Sequence, residues 1–214
     1  MTQSKTQFLD RAYDLDSPEA VREFYDEWSK TYDSNIVDDN GYVTPRRCAE
    51  ALARRARPES VVLDIGCGTG LSGLALHEAG FQTIDGFDLS PDMLAKAAEK
   101  KVYRDLQIAD ITQKLPYADE SYTALNACGV FGQQHTPPSG FADMLKLLKP
   151  DHCFSFSLND HTYENDDYAY PKAVDAAAEA GTIDILEKEY GDHLPGIDLR
   201  AWVYVVRKNA GPET

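Results

Sequence analysis

The apolar positions change period several times along the chain, and each change marks an element. Ser17-Pro18-Glu19 supplies an N-cap, a first-turn proline and an acid at the positive end of a helix. That helix places Val21, Phe24 and Tyr25, Trp28 and Tyr32 on one stripe. Thr44-Pro45 opens a second helix, with Ala49, Leu52, Ala53 and Ala56 inward and Pro58 ending it. Short apolar runs then alternate with amphipathic stretches. Strands are expected at 60–65, 83–88, 106–109, 122–128 and 153–158, and helices at 70–79, 90–100, 140–148 and 168–180. Two closing strands, at 182–189 and 199–207, have no helix between them. Strands joined through helices imply a parallel sheet covered on both faces, and the closing pair implies an antiparallel hairpin at one edge. The expectation is an α/β, Rossmann-like fold with a seven-stranded, mostly parallel sheet whose last strand is antiparallel. Residues 1–57 form a helical segment over a core of 58–214, the two making one structural domain, with 1–16 loosely ordered. Ligands of such sheets bind beyond the carboxyl ends of the strands.

Composition narrows the function. The 214 residues are 43% hydrophobic, enough for one well-packed domain. No stretch approaches ~18 consecutive apolar residues, so no membrane span is expected. The first residues lack the basic-then-apolar order of a secretory signal, which points to a cytoplasmic protein. Cys48, Cys67, Cys128 and Cys153 show no CxxC spacing and read as reduced thiols, with no metal site. A net charge of −15 and a pI near 4.6 repel phosphate backbones, so nucleic acid is not expected as a partner. Arg46, Arg47, Arg54, Arg55 and Arg57 form a local exception: either a solvated helix face or a docking patch for an anion.

The first strand runs into Asp64-Ile-Gly66-Cys-Gly68-Thr-Gly70. A triphosphate loop would need Lys-Ser/Thr after the glycines, and Leu71-Ser72-Gly73 stands there instead. Gly68-x-Gly70-x-x-Gly73 satisfies the dinucleotide fingerprint, with Asp88 at the place of a ribose-binding acid, but leaves Gly66 and Cys67 as spare residues. The whole run, with an acid two residues before the first glycine, resembles motif I of the class I S-adenosylmethionine-dependent methyltransferases. Glycines admit a flat sulfonium nucleoside closely, and a carboxylate at Asp64 suits the ammonium of its methionine end.

The resemblance implies further roles. Asp88 would grip the ribose hydroxyls, Leu89 would lie beside the adenine, and Asp110 with Ile111 would meet the adenine amino group. Asn126, Ala127 and Cys128 would meet the methionine portion. Gly66, Cys67, Gly68, Thr69 and Gly70 of the loop, with Ser90 and Met93, complete the implied cofactor set. The segment Leu115-Pro-Tyr-Ala-Asp-Glu-Ser121 matches the family's approach to the fourth strand. Phe24-Tyr-Asp-Glu-Trp28 through Tyr32-Asp33, with Gly41-Tyr-Val-Thr-Pro45, resembles the lead-in of the Williams–Beuren-region methyltransferase-like group. There the segment acts as a lid, with Tyr25, Trp28 and Tyr32 over the sulfonium, where cation–π attraction contributes ~0.5–2 kcal/mol. His135 is the candidate base, and Tyr42, Asn159, His161 and Tyr163 are candidate substrate contacts. The implied reaction is methyl transfer to a small-molecule acceptor, leaving S-adenosylhomocysteine. A non-catalytic cofactor-binding subunit or sensor and an NAD(P)-dependent oxidoreductase are the alternatives, and a homodimer is left open.

Overall fold

The structure, a computed structural model, describes residues 18–28, 33, 36, 40–132, 136, 139–165 and 169–211. The expectation for 1–16 lies outside them. Helix α1 is Pro18–Trp28 and α2 is Thr44–Ala53. The alternating core follows as β1 Val61–Ile65, α3 Leu71–Glu78, β2 Thr83–Asp88, α4 Pro91–Glu99, β3 Asp105–Ile108 and β4 Tyr122–Ala127. Then come α5 Ser139–Leu147, β5 Leu148–Asn159, the short α6 Asp160–Glu164, α7 Tyr170–Glu179, β6 Ile183–Leu194 and β7 Leu199–Lys208. Among the described residues, no helix is long and apolar enough to cross a membrane.

The seven strands form one sheet in the order β3-β2-β1-β4-β5-β7-β6. Pairings from β3 through β5 are parallel, and β7 runs antiparallel to both neighbours. The closing hairpin therefore sits at the edge as expected, with β7 on its inner side. Period-two alternation sends successive residues to opposite faces. Val62, Ile84 and Ala124 pack under α2 and α3 on one side. Leu63, Leu125, Phe154 and Phe156 pack under α5 and α7 on the other.

Three boundaries depart from the sequence reading. Strand β5 begins at Leu148, directly after α5, and passes through Pro150. Its register with β4 slips between Tyr122 and Ala124, and the slip absorbs Pro150 and the left-handed Asp151 (φ 62). Strand β6 continues past Glu189 to Leu194, paired with β7 as far as Leu194 and Leu199, and Arg47 of α2 bonds the carbonyl oxygens of Glu189, Asp192 and Ala201 alongside. Helix α6 is set by Asn159, whose side chain caps the Thr162 N–H at 2.9 Å.

Arg46, Arg54, Arg55 and Arg57 of the arginine cluster are exposed, as a solvated face requires, and two of them also make ion pairs across to β6. Arg54 and Arg55 both bond the Glu187 carboxylate, which they hold below its ordinary range. With Arg47 they fasten α2 to the hairpin.

Candidate active site

The carboxyl ends of β1, β2, β3 and β4 border a solvent-open cleft of about 820 Å³. It is lined by Gly66 and Gly68 of the first loop, Asp88 to Ser90 after β2, Ala109 to Thr112 after β3, and Cys128 to Val130 after β4. Phe87 and Met93 close its floor, and Arg22 and Tyr25 of α1 reach it from the N-terminal segment.

Three glycines take left-handed φ in the loop between β1 and α3. Gly70 (φ 87) is the N-cap of α3 and lies so close to α4 that a Cβ would sit 2.9 Å from the Ala97 Cα. Gly68 (φ 52) differs: a Cβ there meets nothing within 4 Å, because that side faces the cleft.

Asp88 ends β2 with one oxygen on the Gly68 N–H and the other on the Ser90 N–H, both at 2.9 Å. Burial pushes its carboxyl above the ordinary value, and these amide donors oppose the shift. It thus stands as a preorganised acceptor at the wall. Ser90 caps α4 through the Met93 N–H and donates to Asp26 of α1. Asp110 accepts from Thr112 N–H at 2.8 Å in a local turn at the opposite end.

Several expected ligand contacts do not line the cleft. Asp64 is fully buried beneath the loop, accepting from Ser72 Oγ at 2.6 Å, Tyr103 Oη at 2.7 Å and Asn126 Nδ2 at 2.8 Å. Burial pushes its pKa up to about 6 despite these donors. Asn126 is likewise buried, its side-chain oxygen accepting from Ser155 Oγ at 2.8 Å. Cys67 and Ala127 are core residues, Cys67 against Leu94 and Ala97. Thr69 is buried and donates to Asp33 of the N-terminal segment at 2.5 Å, while Lys100 pairs with the same carboxylate at 2.7 Å.

Of the expected lid residues, Tyr25 lines the cleft, its ring edge-on to Phe24 at 5.3 Å. The Trp28 side chain and Tyr32 lie outside the described residues, as does His135. Tyr42 stands beside the β4 end, its hydroxyl 3.4 Å from Cys128 Sγ. Asn159 is spent as the α6 cap, and His161 is exposed on the same rim. Tyr163 packs its ring on Trp202 at 5.3 Å, and its hydroxyl accepts from Lys188 Nζ at 3.0 Å.

Sequence reasoning missed His193. It ends β6 on the rim, with Nδ1 2.8 Å from Thr44 Oγ1 and its ring edge-on to Tyr42 at 5.1 Å. Burial, with Arg47 and His161 adding to it, pushes its pKa down to about 3, so the imidazole is neutral. Only the unexpected length of β6 brings it to the rim. Arg22, Phe87, Ala109, Thr112, Gly129 and Val130 were also missed as lining residues; the neighbours already assigned were their one signal.

Residues 62–151 match a family of methyltransferase domains. Over that stretch the chain is similar to the class I, S-adenosylmethionine-dependent methyltransferases. It is similar to human methyltransferase-like protein 27, 30% identical over 131 residues that cover 59% of this chain and 53% of that protein. It is also similar to the 18S rRNA (guanine(1575)-N(7))-methyltransferase of Saccharomyces cerevisiae, 40% identical over 68 residues covering 32% and 25%. The chain thus spans about half, or less, of the length of these relatives. Among solved structures, the chain resembles Burkholderia thailandensis 1,6-didemethyltoxoflavin-N1-methyltransferase, crystallised with bound 1,6-didemethyltoxoflavin and S-adenosylhomocysteine. That likeness has a TM-score of 0.64 at 17% identity over 92% of each chain, and it shows the fold. The resemblance implies S-adenosylmethionine as the cofactor. The cleft fits it: Gly68 leaves space at the loop, and carboxylates at Asp88 and Asp110 suit a ligand whose ribose and adenine present donors. The strand end carries no lysine for a phosphate.

Proposed function

We propose that the chain transfers a methyl group from S-adenosylmethionine to a small-molecule acceptor. The observation that carries this reading is Asp88, fixed at the cleft wall by the Gly68 and Ser90 amides, with open space beside Gly68. Bound cofactor supplies an activated methyl on a sulfonium with a neutral thioether leaving group. What the protein adds is orientation and exclusion of water. Asp88 receives the two ribose hydroxyls, Leu89 and Ile111 flank the adenine, and Asp110 accepts from its amino group. Cys128 and Gly129 border the methyl end. Tyr42, His193 and His161 wall the acceptor side, where a neutral His193 serves as a hydrogen-bonding group.

The N-terminal segment acts as a lid in this reading. Asp26 on Ser90 and Asp33 on Thr69 and Lys100 latch it at two points beside the cofactor.

A small acceptor is supported by the strongly acidic chain and by the commitment of Arg47, Arg54 and Arg55 to internal bonds. The toxoflavin-precursor enzyme offers a precedent on this fold. An acceptor base in RNA is the second reading, and the rRNA methyltransferase relative favours it, although its match covers only 32% of this chain.

Methyl-labelled S-adenosylmethionine decides between them. The protein is incubated with a small-metabolite extract and, separately, with total RNA. Label entering the metabolite fraction supports the proposal, and label entering RNA alone supports the second reading. Cofactor binding with no transfer to either favours a binding subunit or sensor.

A further inference from the structure

Tyr103 lines none of the cleft, yet it reaches beneath the glycine loop from the connection between α4 and β3. Its hydroxyl donates to Asp64 Oδ2 at 2.7 Å and accepts the Gly73 N–H at 3.1 Å. The ring occupies a slot between two glycines. A Cβ on Gly73 would collide with the hydroxyl, and one on Gly86 would lie 2.9 Å from the ring edge. Gly73 is the residue that completes the dinucleotide-like fingerprint. Its missing side chain makes room for a tyrosine of the same chain.

The polar bookkeeping explains why a tyrosine is held there. The first-turn N–H groups of a helix lack internal partners and are normally satisfied by a side chain at the N-cap. Gly70 has none to offer, and α3 shows no side-chain cap. The Tyr103 hydroxyl takes the Gly73 N–H from a distance in sequence. Burial beside Asp64 pushes the phenol well above its ordinary range, so it stays protonated and keeps donating. Asp64 is also faced by Ser72 from α3, Asn126 from β4, the charge of Asp88 at the end of β2 and the Cys67 thiol of the loop.

We infer that Tyr103 is a positioning residue for the cofactor: its hydroxyl ties Asp64 to the first turn of α3 and so sets the loop Gly66–Gly70 against the ligand. The inference rests on the cofactor reading above. The ligand's ammonium, which S-adenosylhomocysteine shares, favours an ionised Asp64, so affinity falls as pH drops through about 6. Losing one of three donors raises that carboxyl further and moves the fall to higher pH.

The test is Tyr103→Phe, which keeps the ring, titrated with S-adenosylhomocysteine by calorimetry from pH 5 to 9 beside the wild type. Affinity at pH 7.5 should drop by about tenfold, and the acid-side midpoint should move upward. A variant with a lower melting temperature but wild-type affinity and pH profile overturns the inference, since the hydroxyl is then only structural. In the wild type itself, the Tyr103 hydroxyl proton should give a slowly exchanging NMR signal that shifts on adding S-adenosylhomocysteine. A signal lost to exchange, or unmoved, overturns it independently of the variant. A wild type that binds no S-adenosylhomocysteine contradicts the cofactor reading itself, and the inference falls with it.

Discussion

Asp64 and Asn126 stand opposite one another in the register of β1 and β4, and Asn126 donates its side-chain N–H to Asp64 at 2.8 Å. The acid that the sequence assigns to a ligand is thereby a buried keystone between strands. Ser155, Ser72 and Tyr103 extend the network to β5, α3 and the α4–β3 connection. A buried charge with three donors is tolerated, but at a cost that its raised pKa records.

That cost has a sign. The folded pKa of about 6 lies above the ordinary 3.8, so the contribution of Asp64 to stability is full below the lower value. It is lost as pH rises through about 6, a swing of about 3 kcal/mol for the two-unit shift. Asp64→Asn, which carries no charge, should therefore gain in melting temperature relative to wild type between pH 4.5 and pH 8. Thermal melts at both pH values check this; a difference that is flat with pH contradicts the burial of the charge.

Asp88 bears on ligand affinity. Asp88→Ala should weaken S-adenosylhomocysteine binding by about 2 kcal/mol, since two ribose hydroxyls lose a charged acceptor. Calorimetry reads this as roughly a thirtyfold higher Kd. An unchanged Kd would remove Asp88 from the cofactor site.

Gly68→Val separates space from stability. No protein atom lies within 4 Å of its added Cβ, so the chain should fold, at a cost of about 1–2 kcal/mol for the left-handed φ. The side chain would fill the cleft, and S-adenosylhomocysteine binding should be lost. Retained binding in a folded variant would place the ligand elsewhere.

The lid latch is tested by Asp33→Ala. Losing the bonds to Thr69 and Lys100 should speed S-adenosylhomocysteine release several-fold, with a smaller effect on association, as stopped-flow measurements would show. Added salt should weaken the wild-type latch as well, because the Lys100–Asp33 pair is partly exposed. Release rates equal in the two proteins would argue that the segment does not close over the ligand.

Alternation of short apolar runs with helical stretches was enough to read the sheet, because β1, β2 and β4 are buried along most of their length and α2 and α4 open on Thr-Pro and Ser-Pro. The end of β2 was equally legible: Asp88 and Ser90-Pro91 each have a local job visible in the sequence. Burial partners were not. Asp64 and Asn126 look like site residues until the register brings them face to face, and Tyr103 carries no local signal for its slot between Gly73 and Gly86. His193 was hidden because β6 runs on, paired with β7, beyond the last apolar position the sequence marks, and its partner Thr44 lies more than a hundred residues away. Pro150 misled for a similar reason, since a bulge lets β5 pass through it.

The most direct measurement is the crystal structure of the chain grown with S-adenosylhomocysteine. The account predicts the nucleoside in the cleft between Gly68 and Asp110, with both ribose hydroxyls on the Asp88 carboxylate and the sulfur toward Cys128 and Gly129. Density for the ligand away from the glycine loop, or a cleft that takes NADH and refuses S-adenosylhomocysteine, would contradict it.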